Sequence, residues 1–382
     1  MKKTQGFGLL EIIVIIIITA IVSSIATGVI MLNSQSEIIN SEHKIITEDK
    51  DLQDFIKVYK TIVNKYYDEI DKKGMLNAAE EGMLNFLGDK YTTFLKDDEY
   101  NEIMDELSGT YSGIGVALNQ NSNIIVSVTK DSPAEKAGLQ ANDVLIKINS
   151  YDSSQMTGNE IGKIIKGCKE NINLVVLRNG VELNFNVEKT DLINVAIDYK
   201  IIENTQIGYL SIQKFSENLS KQVKEALETL ESQNIKSLIV DVRNNVGGYL
   251  SAAEDTASLF LENGKIIYFL ETSNNKLTYK DETKEKREYP IAVLINGSSA
   301  SASEILAAAL KESYGATLIG TKTYGKGKVQ QIVADSAKYT FAKWLTPNGR
   351  CIDSIGINPD YTIYNSNETF DAQLNKAIEL LG

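Results

Sequence analysis

Histidine is nearly absent from this chain of 382 residues, which contains only His43. This residue lies in a polar stretch just after an N-terminal hydrophobic segment, where we expect a solvated linker rather than a catalytic site. A Ser-His-Asp triad and a histidine-rich zinc site are therefore poor hypotheses. If the protein is a hydrolase, its general base must be a lysine, an aspartate, a glutamate or a tyrosine.

Cysteine is also scarce, and basic residues are outnumbered by acidic ones. Cys168 and Cys351 are far apart and form no CxxC pair, so we interpret both as ordinary thiols, with a disulfide between them left open. The net charge is −12, from 39 basic and 51 acidic residues, and an acidic chain is a poor partner for nucleic acid. Apolar residues make up 43% of the chain, which predicts a folded protein. Its length of 382 residues is enough for two or three domains.

Charge is missing altogether from residues 12–32, which read IIVIIIITAIVSSIATGVIML. This run is long enough to span a bilayer as a helix. Because Lys2 and Lys3 precede it, the positive-inside rule predicts a cytoplasmic N-terminus and an extracytoplasmic remainder. A cleaved signal peptide with a weak site at Ser23–Ala26 is the alternative. Gly6–Glu11 also resembles the processing site of type IV prepilins, which adds a pilus-biogenesis component to the alternatives.

Beyond this segment the pattern changes twice. Apolar residues at helical spacing predict helices at 51–70, 75–87 and 97–107. Short strands and glycines then follow, and three segments in order resemble a PDZ domain of the bacterial, permuted kind: Tyr111–Leu118, Asp131–Leu139 and Asp143–Asn149.

From residue 207 onward strands and helices alternate, which predicts an α/β core. The charged run Lys280–Glu288 predicts a solvated hairpin or loop.

Two segments of the α/β core carry candidate chemistry. Ser301 follows a buried-type strand and a turn of small residues, and it precedes a helix whose N-terminus can stabilise a developing anion. A simple helix cap is the alternative for this serine. Lys326 lies between Gly325 and Gly327, so other backbone can approach it closely from both sides. The same segment nearly spells a phosphate-binding loop, but Gly327 stands where a serine or threonine must bind magnesium.

Together these segments resemble the C-terminal processing peptidases, a family of Ser-Lys proteases with a PDZ domain. The run Ser301-Ala302-Ser303-Glu304 and a Tyr-Gly-Lys-Gly run whose Lys326 lies 25 residues after Ser301 match the family motif. Asp241–Gly248 matches the family's glycine turn. The resemblance implies Ser301 as the nucleophile, Lys326 as the base, Gln330 as a third active-site residue that holds the lysine amine, and an oxyanion hole formed by the amides of Gly247 and Ala302.

The implied chemistry requires neither a metal nor a cofactor. Burial can lower the pKa of a lysine by several units from its free value of about 10.4, which lets the neutral amine take a serine proton. An acyl-enzyme would then form and be hydrolysed. Arg178, at the end of a strand of the PDZ-like region, is a candidate gating contact, and an exposed hairpin arginine is its alternative.

The PDZ-like region supplies the predicted substrate binding. Its loop would hold the C-terminal carboxylate of protein or peptide substrates with exposed apolar C-termini. The loop residues predicted to bind are Ser112, Gly113, Ile114, Gly115 and Val116.

The sequence therefore predicts a multidomain α/β (α+β) protein. Its predicted parts are a cytoplasmic start and transmembrane anchor (1–33), a helical region (34–107), a PDZ-like domain (108–190) and a Ser-Lys peptidase core (191–382). The predicted function is that of a single-pass, membrane-anchored serine endopeptidase with its catalytic part outside the cell membrane. A non-catalytic PDZ scaffold and a pilus-biogenesis protein are the alternatives, and whether the chain forms a homo-oligomer is left open.

Overall fold

The structure, a computed structural model, describes residues 49–169, 171–365 and 370–382. The chain divides into two units after Ala79. No helix in the described ranges has both the length and the hydropathy needed to span a membrane. The anchor predicted at residues 12–32, the prepilin-like hexapeptide and His43 all lie outside these ranges.

Two helices open the described chain, α1 (Lys50–Lys65) and α2 (Lys72–Phe86). Helix α1 begins at Asp49, whose carboxylate accepts a hydrogen bond from the Leu52 amide at 3.0 Å. It ends at Tyr66, where the backbone becomes extended, so the helix predicted at 51–70 is shorter than its apolar spacing indicated.

Strand β1 (Thr93–Phe94) and helix α3 (Asp97–Ser108) lead to a small domain of strands and short helices. Its elements are β2 (Thr110–Gly113), β3 (Val116–Leu118), β4 (Ile125–Val128), α4 (Pro133–Ala137), β5 (Val144–Ile148), β6 (Tyr151–Asp152), α5 (Gly158–Gly167), β7 (Asn171–Arg178), β8 (Val181–Glu188) and β9 (Thr190–Ile193). Strands β6-β5-β7-β8 form an antiparallel sheet. Ser132 caps α4, and Gly138 ends it with a φ of 93°, which favours glycine.

Strands and helices alternate in the remaining chain, as the sequence predicts. The elements are β10 (Ile197–Ile201), β11 (Ile207–Ile212), α6 (Leu219–Ser232), β12 (Ser237–Asp241), α7 (Leu250–Ser258), β13 (Ile266–Thr272), β14 (Lys276–Lys280), β15 (Ile291–Ile295), α8 (Ala302–Ala309) with a π-helical turn at Leu310–Tyr314, β16 (Thr317–Gly320), β17 (Lys328–Val333), β18 (Ala337–Leu345), β19 (Tyr361–Thr362) and α9 (Ala372–Leu381).

The main sheet has the order β10-β11-β12-β15-β16-β19 and is parallel from β11 onward. Every residue of β12 and β15 is buried, because helices cover both faces of the sheet. Helix α9 packs on one face, and α6, α7 and α8 pack on the other. A second sheet has the order β1-β18-β13-β14, with β17 paired to β18. The carboxyl ends of β12 and β15 therefore bring two turns together at one edge.

The mixed α/β architecture is confirmed, with one change of detail. The charged run Lys280–Glu288 continues from the last residue of β14 as a loop, but it is not uniformly solvated: Asp281 is buried, and Arg287 Nε lies 2.8 Å from the Glu231 carboxylate. Cys168 and Cys351 are both free thiols, the first half-buried and the second exposed.

Candidate active site

The turns that follow β12 and β15 are joined by hydrogen bonds. The buried Ser299 hydroxyl donates to the Val242 carbonyl at 2.8 Å. The Ala300 amide and the Ser303 hydroxyl both donate to the Asn245 carbonyl, at 3.0 and 2.8 Å. These contacts set the position of the serine turn relative to the glycine turn.

Ser301 lies in the turn directly before α8 and has a φ of 58° and a ψ of −118°. A non-glycine residue with positive φ stores strain, which persists only where the surroundings hold it. The amide of the next residue, Ala302, has no hydrogen-bond acceptor in the described part of the chain. Ser301 therefore presents its hydroxyl beside a free amide at a helix N-terminus, as the sequence predicts.

Glu304 holds this serine and the candidate base in one arrangement. Its carboxylate is fully buried. Oε2 accepts from the amides of Ser301 and Lys326, both at 2.9 Å. Oε1 accepts from the Gly325 amide at 2.8 Å and from the Thr323 hydroxyl at 2.5 Å. One carboxylate therefore connects the start of α8 with the loop that carries Lys326.

Lys326 occupies a half-buried position between two closely packed glycines. A Cβ on Gly325 would lie 2.7 Å from the Gly356 amide, and one on Gly327 would lie 2.7 Å from the Asp353 Cβ. The close approach predicted from the two glycines is thus confirmed. Burial lowers the pKa of Lys326 below its ordinary value, and repulsion from Lys338 lowers it further, whereas attraction to Glu304 opposes the shift.

Ser301, Lys326 and Gln330 all line one cleft of about 530 Å³. Apolar side chains of α3 line the same cleft: Ile103, Met104 and Leu107. The Ser301 hydroxyl and the Lys326 amine are not hydrogen-bonded to each other in this structure. The Gln330 amide donates to the Thr340 hydroxyl at 3.3 Å rather than to the lysine.

The glycine turn lies against the serine turn. Gly247 has a φ of 103°, and a Cβ there would lie 3.0 Å from the Ala302 nitrogen, which leaves no space for a side chain. The Gly247 amide donates to the Asn245 side chain at 2.8 Å. The amide of Gly248 has no acceptor within the described residues, and Gly248 lines the cleft. Gly248 is therefore a second candidate, beside Gly247, for the partner of Ala302 in an oxyanion hole.

The predicted tail-binding segment, residues 112–116, runs from the end of β2 into the start of β3 and does not line the cleft. Ser112 is exposed and Val116 half-buried, whereas Gly113, Ile114 and Gly115 are buried. Gly115 has a φ of 87°, and a Cβ there would lie 2.3 Å from the Ser132 Cβ. The amides of Ile114 and Gly115 have no acceptor among the residues that the structure describes. Two neighbouring amides are thus available to an anion.

Arg178 is neither exposed nor in contact with the cleft in this structure. Its guanidinium makes two hydrogen bonds to Asp143, at 2.6 and 2.8 Å, and a third to the Gly138 carbonyl at 2.8 Å. The Asp143 side chain is only 1% exposed. The hairpin-arginine alternative is therefore wrong, and a gating role stays a prediction.

Three residues close to Ser301 or Lys326 are not predicted as site residues from the sequence. Glu304 is part of the motif found in the sequence, but nothing in the sequence shows that its carboxylate accepts from the backbone amides of both Ser301 and Lys326. Lys338 comes from β18, one hairpin strand after β17, and Tyr91 comes from the turn before β1, far from Lys326 along the chain. An isolated lysine or tyrosine has no local pattern that distinguishes it from a surface residue.

Comparison with known proteins agrees with this geometry. The chain matches the family models of Peptidase family S41 at residues 206–363, of a PDZ domain at 124–178, and of the Activating protease CtpB N-terminal domain at 19–99.

Two relatives come from Bacillus subtilis. The carboxy-terminal processing protease CtpB is 36% identical over 327 residues, which cover 82% of this chain and 68% of that protein. The carboxy-terminal processing protease CtpA is 35% identical over 359 residues, which cover 92% and 76%. Among solved structures, a photosystem II D1 C-terminal processing protease aligns with a TM-score of 0.49 and 23% identity, over 86% of this chain and 90% of that one.

The match to peptidase family S41, the PDZ domain and the protease relatives together identify the chain as a serine-type protease. The chain belongs to the carboxy-terminal processing proteases of peptidase family S41. Both the family and the enzyme class predicted from the sequence are confirmed.

Proposed function

We propose that this protease cleaves peptide bonds with a Ser301/Lys326 dyad. The observation that carries the proposal is the Glu304 carboxylate, which accepts from the amides of both residues at 2.9 Å. Because both amides donate to the same oxygen, the backbone of Ser301 and the backbone of Lys326 are held at a fixed separation. The lowered pKa of Lys326 supports the assignment, because a neutral amine is required to take the serine proton.

The reaction would proceed in two acyl-transfer steps. Ser301 Oγ attacks the peptide carbonyl while its proton passes to Lys326 Nζ, and the carbonyl electron pair moves to the oxygen. The amides of Ala302 and of the Gly247–Gly248 turn stabilise that oxyanion. Lys326 then gives its proton to the leaving amine, and an acyl-enzyme remains. Water hydrolyses the ester and restores the serine. In the resting structure the dyad hydrogen bond is absent, so substrate binding must bring the hydroxyl and the amine together.

A serine-directed covalent probe and a peptide cleavage assay test the dyad. Ser301→Ala should abolish labelling and cleavage, and Lys326→Ala should abolish cleavage, with little change in thermal unfolding. Since the two residues act as a unit, the double variant should be little worse than either single one. The exposed neighbours Ser298→Ala and Lys322→Ala are matched controls that should keep wild-type activity. Substantial turnover by Lys326→Ala would sink the assignment of the base.

The cleft and the PDZ loop together suggest the substrate class. The apolar side chains of α3 line the cleft beside Ser301, which favours apolar residues near the cleaved bond. The free amides of Ile114 and Gly115 suit a terminal carboxylate. The proposed substrates are therefore proteins or peptides with exposed apolar C-termini.

The membrane location rests on the sequence of residues 2–32, and the structure does not describe that segment. We place the N-terminus in the cytoplasm and residues 34–382 outside. Protease added to intact cells that lack an outer barrier should degrade the bulk of the chain. Complete protection, under conditions that digest a known external domain, would reverse this orientation.

A further inference from the structure

Tyr91 is held beside Lys326 by a turn that is attached to the β17–β18 hairpin. Asp89 in this turn forms an ion pair with Lys328 at 2.9 Å, and the two residues are 239 positions apart. The Thr340 amide donates to the Thr92 hydroxyl at 3.1 Å. Burial alone would raise the pKa of Asp89, but hydrogen bonds, including those from Thr340 and Lys328, lower it to about 2. The carboxylate is thus ionised at any working pH, and the turn stays attached.

Three ammonium groups converge on the Tyr91 ring. The amine nitrogens of Lys90, Lys326 and Lys328 lie 4.7, 5.3 and 5.9 Å from its centroid. An aromatic face carries partial negative charge and attracts a cation within about 6 Å. Lys90 is exposed and Lys328 has Asp89, but the Lys326 amine has no hydrogen bond or ion pair within the described ranges. The ring is therefore the contact by which the Lys326 amine is held in this structure.

The phenol itself cannot replace Lys326 as the base. Burial raises the pKa of Tyr91 above its ordinary value, although Lys90 opposes the rise, and the neighbouring Tyr324 adds to it. Tyr91 is consequently neutral near pH 7. It acts on its neighbours through the face of the ring and not through a phenolate charge.

The catalytic cycle creates a specific need for such a face. When Lys326 accepts the serine proton, a new ammonium forms in a half-buried site that disfavours it, next to the positive charge of Lys338. Glu304 is the nearby anion, but its four hydrogen bonds go to backbone amides and to Thr323. A ring face stabilises the ammonium without trapping it, since it offers no acceptor to which the proton could be transferred.

We propose that Tyr91 is a positioning residue whose ring holds the Lys326 ammonium and stabilises it after proton transfer from Ser301. This role rests on the proposed Ser301/Lys326 dyad. It also explains why a segment so distant in sequence is attached to the strand that follows Lys326. The other titratable groups around the pair are Lys90, Lys328 and Lys338, the carboxylates of Glu304 and Asp89, and the phenol of Tyr324.

The test is the pH dependence of kcat/KM for a series of ring substitutions at position 91. Tyr91→Phe keeps the face and should retain the wild-type midpoint. Replacing that phenylalanine with its mono-, di- and trifluorinated forms keeps the shape and progressively removes the negative potential of the face. Because the ring stabilises the charged base, each fluorine should lower the pKa of Lys326 and move the midpoint to lower pH. From phenylalanine to its trifluorinated form, the midpoint should move by about 0.5 pH unit or more in total, and Tyr91→Leu should shift it by a similar amount. Both changes should also lower the plateau of kcat/KM at high pH.

Controls separate this role from a packing role and from failure of the dyad. Tyr361 has a similar contact with Lys376, at 5.2 Å, so Tyr361→Leu should leave the midpoint unchanged. A midpoint that stays constant across the fluorinated series, with Lys326→Ala inactive, overturns the role of Tyr91 alone. Activity in Lys326→Ala overturns the dyad and this role together. If Tyr91→Leu unfolds, the fluorinated series still decides, because its members preserve the volume of the ring.

Discussion

At the scale of single residues, the working state of Lys326 depends on opposing contributions. Burial and the charge of Lys338 lower the pKa of the amine, and Glu304 raises it. A base that is too strongly protonated cannot accept the serine proton, and one with too low a pKa drives proton transfer poorly. The surroundings of this one nitrogen therefore set both the pH range and the maximal rate.

Lys338 supplies a testable part of that balance. In Lys338→Gln the repulsion disappears, so the Lys326 ammonium is stabilised and its pKa rises. With Lys326 as the proposed base, activity should rise with pH as this residue loses its proton, so the midpoint should move to higher pH in the variant, by about half a unit or roughly 0.7 kcal/mol. A pH profile of kcat/KM measures the shift, which should shrink in about 1 M salt.

Lys343→Gln is the matched control for this change. Lys343 is on the same strand, but its ammonium pairs with Glu271 at 2.7 Å, and it does not line the cleft. Its removal should leave the midpoint in place. A shift to lower pH in Lys338→Gln would contradict the electrostatic explanation.

At the scale of elements, the active site depends on helix α8 and the loop between β16 and β17 keeping one relative position. Glu304, which is part of α8, accepts three hydrogen bonds from the loop and a fourth from the Ser301 amide, and a hydrogen bond to a charged acceptor contributes about 1.5–3 kcal/mol. In Glu304→Gln an NH2 group replaces one of the two acceptor oxygens. In the place of Oε2 this group would face the amide donors of Ser301 and Lys326, which would lose their acceptor.

Glu304→Gln should therefore lower kcat/KM by about 100-fold or more and destabilise the fold by about 3 kcal/mol or more. Because the substrate cleft keeps its lining, kcat should fall more than KM rises. Steady-state kinetics and denaturant unfolding measure the two effects. Glu254→Gln is the control, since within the described residues that half-buried carboxylate accepts a hydrogen bond only from the Tyr268 hydroxyl, at 3.2 Å. Wild-type kcat in Glu304→Gln would show that the shared carboxylate is dispensable.

Elements with a clear local pattern could be predicted from the sequence, and contacts between distant elements could not. The buried strand predicted before Ser301 is β15 (Ile291–Ile295), because a short apolar run followed by small residues indicates a buried strand locally. Ser301 and Lys326 could be named because their flanking residues form a recognisable motif. The Glu304 hydrogen bonds, the Arg178–Asp143 pair and the Tyr91 contact depend on tertiary packing, which no local pattern of charges or aromatics reveals.

At the scale of the whole molecule, the proposed dyad has no selectivity of its own, because every peptide bond presents the same carbonyl. Ser301 and Lys326 line the cleft, whereas the free amides of Ile114 and Gly115 lie in another domain and not in the cleft. Selection by the PDZ loop therefore requires a substrate that reaches both places, with its C-terminus in the loop and an earlier peptide bond at Ser301. A free carboxylate is the group that the loop would recognise.

Amidating the C-terminus of a peptide substrate should consequently lower kcat/KM by about tenfold or more, the loss expected when a charge-assisted hydrogen bond of roughly 1.5–3 kcal/mol is removed. The comparison leaves the protein unchanged, so no folding defect can imitate the result. Acetylating the N-terminus of the same peptide is the matched control, since it removes a charge at the opposite end and should have little effect. Equal cleavage of the free-acid and amidated forms below saturation would mean that the PDZ domain does not read the tail and that selection resides in the apolar cleft beside α3.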